Sequence, residues 1–121
     1  MTDHLETVAD AETAARDAAR RGAVLHRLDG KAMVDKASAL AAIAAALSFP
    51  DHFGHNLDAL FDMAGDLSWL PEGEHVLLWT DSAALRDGDP AAWRGVRSAL
   101  SDAVARTEQH TRRLRVQLVQ D

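Results

Sequence analysis

The chain has no cysteine in its 121 residues. That absence excludes a disulfide scaffold, a zinc–thiolate centre and a cysteine nucleophile together, and it suits a reducing compartment. Long apolar runs are missing as well, since no stretch approaches the roughly 20 apolar residues of a membrane span. The first twenty residues hold no apolar core of the kind a secretory leader needs, because Glu6, Asp10, Glu12 and Asp17 are interleaved there with Arg16 and Arg20. A cytoplasmic location without membrane contact is the expectation. Basic residues are absent from one region in particular. Between Ala37 and Leu85 there is no lysine or arginine, while Asp51, Asp58, Asp62, Asp66, Glu72, Glu74 and Asp81 give that window seven negative charges, against −6 for the whole chain. Such a surface repels phosphate backbones, which disfavours direct nucleic-acid binding, and attracts basic surfaces, including the cationic clefts in which nucleases hold substrate. Excess acid also serves solubility alone.

The length suits one domain, and the periodicity outlines it. Residues 5 to 20 carry Leu5, Val8, Ala11, Ala15 and Ala18 at helical spacing, a mostly alanine stripe that buries little area. Residues 1–21 are therefore expected to be an N-terminal helical extension to a domain over 22–121. Ala23–Leu28 reads as a strand closed by the Asp29-Gly30 turn. A helix follows from Asp35 or Ser38 to Leu47 and stops before Pro50. A second helix spans Asn56 to Leu67, and the nearly unbroken apolar run His75–Thr80 suits a strand buried on both faces. Residues 91 to 106 are helical, with Asp89 as cap and Pro90 in the first turn. Alternating Leu114, Val116 and Leu118 make a last strand, placed at a sheet edge. Strands separated by helices imply right-handed parallel crossovers, so the predicted class is α/β, a small three-stranded parallel sheet packed against helices.

The second helix carries the chemistry. Asp58, Asp62 and Asp66 stand four apart, which stacks three carboxylates along one side at a cost of roughly 0.2–0.5 kcal/mol per pair in an isolated helix. No basic side chain within the segment relieves them, so a cation elsewhere in the fold or on another molecule would. The dipole at the helix start favours Asp58 in any case, and the other two are tolerable when solvated. The preceding loop, Phe49-Pro50-Asp51-His52-Phe53-Gly54-His55-Asn56, puts aromatic and imidazole groups beside a glycine able to turn sharply. Phe49 and Phe53 are expected to close the core, and His52 and His55 to face solvent, where charging them would weaken the negative field.

The stretch from Phe49 to Asp62 resembles the inhibitory loop and helix of the barstar family, most specifically in Gly54-His55-Asn56-Leu57-Asp58-Ala59-Leu60. The order of elements is similar over about Ala23 to Val119. The resemblance implies a small parallel sheet packed against helices, and an inhibitor of a guanyl-specific or related ribonuclease with a basic active-site cleft. By the same resemblance, Asp62 corresponds to the carboxylate that enters the nuclease site where phosphate would sit, and Asp58 to its neighbour that pairs with the site's basic residues. His52, Gly54, His55, Asn56, Phe61 and Asp66 fall in the contacting segment, and Asp102 is the nearest match to an acid on the last helix. Two departures stand out. His52 replaces an aromatic residue that stacks in the nuclease site, and Phe61 replaces a tryptophan, so a different nuclease is expected as target.

No cofactor or metal is expected, and no catalysis either, since no Ser-His-Asp order, Gly-rich phosphate loop or zinc-protease motif appears. An enzyme built on His52, His55 and Asp58 is the first rival, but the two histidines straddle Gly54 and are not held on one helical face. The second is a non-inhibitory interaction module, or a homo-oligomer in which the acidic face meets Arg94 with Arg97 or Arg112 with Arg113 and Arg115. A monomer is favoured.

Overall fold

The computed structural model describes residues 3–120. Four strands, Glu6–Val8 (β1), Val24–Asp29 (β2), Gly73–Thr80 (β3) and Arg112–Val119 (β4), form one parallel sheet in the order β1-β4-β3-β2. Five helices connect them: Ala11–Arg20 (α1), Lys36–Ala46 (α2), Leu57–Ala64 (α3), Ala83–Gly88 (α4) and Pro90–Thr107 (α5). The protein is a mixed α/β structure, and the expectation of three strands is corrected to four. The missed strand is β1, whose Glu6, Thr7 and Val8 pair with Gln117, Leu118 and Val119. Three residues give too short a run for alternation to register, and Leu5 and Val8 happen to continue the helical spacing of α1 backward to residue 5. With β1 outside it, β4 is an interior strand rather than an edge.

Handedness explains which face each helix covers. The β2→β3 and β3→β4 crossovers step across the sheet in one direction, and right-handed connections put α2, α3 and α5 on the same face. The β1→β2 connection steps the opposite way, so α1 crosses the other face. The packing agrees: Leu40, Ile43, Leu60, Ala64, Val96 and Leu100 share one core with Leu77, Trp79, Leu114 and Val116, while α1 lies against β2 and β3. Central β3 is covered on both faces, and Val76, Leu77, Leu78 and Trp79 are fully buried. That matches its unbroken apolar run.

Local chemistry sets the helix starts. Asp35 and Ser38 form a reciprocal capping box at α2. Asp89 accepts from Ala92 N at α5, with Pro90 at the first position. On the α1 face an ion network ties the first strand down. Arg115 donates twice to Glu6, at 2.6 and 2.8 Å, and Glu74 lies 2.7 Å from Arg21 and 3.5 Å from Arg115. The hydrogen bonds from Arg115 hold the Glu6 carboxyl below the usual carboxylate range, against the opposing effect of burial. No helix among the described residues is long and apolar enough to cross a membrane.

Candidate functional site

Helix α3 begins at Asn56, whose side-chain oxygen accepts from Ala59 N at 2.8 Å. The same side chain donates to the Gly54 carbonyl at 3.3 Å, which couples the helix start to the loop before it. The left-handed backbone in that loop belongs to His55, at φ 50°, and not to Gly54. This corrects the expectation that glycine makes the turn. Histidine is among the residues that tolerate such a conformation, and here its Nδ1 donates to the Phe53 carbonyl at 3.0 Å while its ring lies 4.7 Å from that of Phe53. A Cβ at Gly54 would come within 3.3 Å of the Asn56 amide, a tight contact that a small shift of that side chain relieves. Phe53 is buried, Phe49 sits edge-on to both Phe53 and Trp69, and Trp69 Nε1 donates to the Leu47 carbonyl. The loop is thus fixed from below by aromatic contacts, with His52 left exposed on top.

The helix buries Leu60 and Ala64 and presents Asp58 and Asp62 to solvent. It packs closely on α5, where a Cβ at Gly95 would stand 2.7 Å from Leu57 Cδ1. Asp58, Phe61 and Asp102 consequently line one groove between the two helices, together with Ser98 and Ala99. Asp58 and Asp62 also line an open depression with Lys36 and Asn56. The third member of the stripe is displaced. α3 ends at Ala64 and Asp66 lies beyond its Gly65 cap, where the carboxylate accepts from Ser68 Oγ at 2.9 Å. The helical spacing continued past the true end because Leu67 is fully buried, but it is reached through a turn with φ 55°.

Two cations that sequence reading missed stand at this face. Arg106, on α5, lies 3.7 Å from Asp62, with its guanidinium 5.1 Å from the centre of the Phe61 ring. Its i,i+4 spacing from Asp102 puts it on the same side of α5 as that residue, but its approach to Asp62 comes from the packing of α3 on α5. Lys36 borders the depression beside Asp58, and nothing in its sequence context pointed there. Asp51, Asp58, Asp66 and Asp102 have no cationic partner among the described residues. The face is a row of solvated carboxylates with one guanidinium at its α5 edge. His55 spends Nδ1 on a loop carbonyl, and among the described residues no cluster of three or more histidine and carboxylate side chains is placed to hold a metal ion.

A family model described as Barstar (barnase inhibitor) matches residues 23–119. The chain belongs to this family. No curated protein matches it. The match begins just before β2 and ends with β4, so it contains the loop, α3 and Asp102 of α5. It leaves out β1 and α1, although β1 completes the sheet beside β4.

Proposed function

We propose that the protein is a non-catalytic inhibitor of a ribonuclease, closing the enzyme's basic active-site cleft with α3, the loop before it and the neighbouring edge of α5. The observation that carries this reading is the coincidence of a family match across 23–119 with a capped, rigidly seated helix that presents Asp58 and Asp62 unburied. A carboxylate meeting an active-site arginine makes short, often bidentate hydrogen bonds and imitates the phosphate the site is built to hold. Asp62 fills that role, Asp58 pairs with neighbouring basic residues, and Asp102 extends the contact along the shared groove. His52, Gly54, His55, Asn56 and Phe61 shape the surface around them, and Asp66 contributes charge from the rim. The field of the acidic window steers a basic partner toward this face.

The homo-oligomer is less well supported, because its supposed basic clusters are largely engaged within the fold. Arg97 pairs with Asp3 and lies over Trp93, Arg112 donates to the Leu70 carbonyl, and Arg115 is held by Glu6 and Glu74. The test is inhibition of RNA cleavage by barnase and by basic ribonucleases captured from the source organism, with wild type and Asp58→Ala/Asp62→Ala compared. Losing hydrogen bonds to charged groups costs about 1.5–3 kcal/mol each. Single variants should therefore bind roughly 10- to 150-fold more weakly. A captured nuclease inhibited equally by wild type and double variant would remove the site from α3, and no inhibition of any ribonuclease would remove the function.

A further inference from the structure

Away from the acidic face, two histidines meet inside the sheet. His75 on β3 is fully buried and His26 on β2 partly so. His26 Nε2 lies 2.9 Å from His75 Nδ1, His26 Nδ1 lies 3.2 Å from the Ala46 carbonyl, and His75 Nε2 lies 2.7 Å from the Pro71 carbonyl. Both carbonyls only accept, so the outer contacts require N–H at His26 Nδ1 and His75 Nε2. Two neutral imidazoles carry one N–H each, and those two protons are then used. The inner nitrogens would face each other as bare lone pairs, and one further proton completes the chain of three hydrogen bonds.

The carbonyl at the His26 end has a particular need. Four residues beyond Ala46 stands Pro50, which has no N–H to continue the helical ladder, and the last turn of α2 carries no basic side chain. The negative end of the helix dipole therefore points at His26 without another cation to meet it. Charged groups elsewhere around the pair are turned away or occupied. Arg112 of β4 donates to the Leu70 carbonyl, Glu74 points to the opposite face with Arg21 and Arg115, and Asp66 and Glu72 are exposed. Helices α3 and α5 offer this side of the sheet apolar side chains such as Leu60, Val96 and Leu100.

We propose that His26 and His75 bind one proton between them at neutral pH, and that its loss, by moving the one N–H left on His26 from Nδ1 to Nε2 to donate to His75, unfastens the end of α2, from which the acidic loop departs. Burial, followed by the charge on His75, pushes the His26 ring below the ordinary histidine range. The pair accordingly refuses a second proton. The three-bond chain is complete only while the shared proton is bound, so the fastening it gives is present on the acid side of that proton's titration. It is lost as pH rises through it.

The test is long-range ¹H–¹⁵N correlation of the imidazole nitrogens in the labelled full chain, from about pH 5 to 9 around the reference histidine value of about 6.5. The expected result at pH 7 is N–H at both His26 Nδ1 and His75 Nε2, with the inner nitrogens sharing the third proton. That proton should leave in a single step as pH rises. In parallel, protection of the Leu47, Ser48 and Phe49 amides, which bond to Ile43, Ala45 and Ala44, should fall by more than the intrinsic rise in exchange accounts for. Two neutral rings at pH 7, or two independent titrations near 6.5, would overturn the shared proton. A His26→Phe variant that keeps the same pH-dependent loss of protection would overturn its link to α2, and if that variant does not fold, the native spectra still decide.

Discussion

Replacing Asn56 tests how the acidic helix is held. α3 has eight residues, well short of the roughly 12–15 at which an isolated helix becomes even marginal, so its ends matter more than its intrinsic propensity. Asn56 performs two separable tasks: its oxygen accepts from Ala59 N at 2.8 Å, and its amide donates to the Gly54 carbonyl at 3.3 Å. Asn56→Ala removes both. Loss of an N-cap costs about 1 kcal/mol, within a range of 0.5–2. For a chain between the small and mid-sized domains that amounts to a fall of about 3–6 °C in Tm. Asn56→Asp keeps the cap acceptor, places its charge at the favourable end of the dipole, and loses only the donor to Gly54. It should unfold within about 1 °C of wild type while releasing the His55 turn, seen as faster backbone motion at Gly54 and His55 by NMR relaxation. Thermal unfolding followed by circular dichroism, cross-checked by urea midpoints, measures the first effect. If Asn56→Asp falls as far as Asn56→Ala, or Asn56→Ala does not fall, the cap is not what fixes α3 and the geometry of Asp58 rests on its packing against α5 alone.

Two further outcomes follow from the ion pairs. Arg106→Glu removes the guanidinium beside Asp62 and adds a carboxylate, so association with a basic ribonuclease should quicken, with the gain shrinking at high salt; stopped-flow association at two ionic strengths checks it, and an unchanged rate would mean that Arg106 lies outside the approach path. Glu6, with its carboxyl held low by Arg115, contributes stability that is present above about pH 4.3 and lost as pH falls through its depressed folded value. Urea midpoints measured from pH 6 down to 3 should therefore fall more steeply for wild type than for Glu6→Gln, and parallel curves would show that the pair contributes nothing in solution.

Much of the fold was legible because its signals were local. The Asp89–Pro90 start of α5 and the Asp35 cap of α2 are short-range chemistry, and the unbroken His75–Thr80 run required a doubly covered strand. The first strand was not legible, because three residues acquire a sheet partner only across a separation of more than a hundred residues, and nothing local distinguishes Glu6–Val8 from an early helical turn. Helix ends followed the same division. Asp66 fitted the helical spacing, but the chain leaves the helix after Ala64 and turns through Leu67 at φ 55°, which spacing does not reveal. At the candidate site, the proximity of Asp58 and Asp62 could be read from spacing alone. Their junction with Asp102 and Arg106 depended on the packing of α3 against α5, which one-dimensional periodicity does not contain.

The distribution of ion pairs bears on why the acidic face is exposed. On the opposite side of the sheet the fold neutralises its acids: Glu6, Asp17 and Glu74 each lie against Arg21 or Arg115. The same chain leaves Asp58 and Asp102 facing one groove without a cation, and it gives Asp62 one whose nearest approach is 3.7 Å, with both side chains more than 40% exposed. An exposed pair of that kind is worth at most about 1 kcal/mol. It holds Asp62 loosely and can be exchanged for a better-placed arginine on a partner without a large loss. A deeply buried pair would resist that exchange, and a fully unpaired row would repel itself. The loose pair at the α5 edge therefore leaves Asp62 exposed, while its guanidinium lies over the face of Phe61.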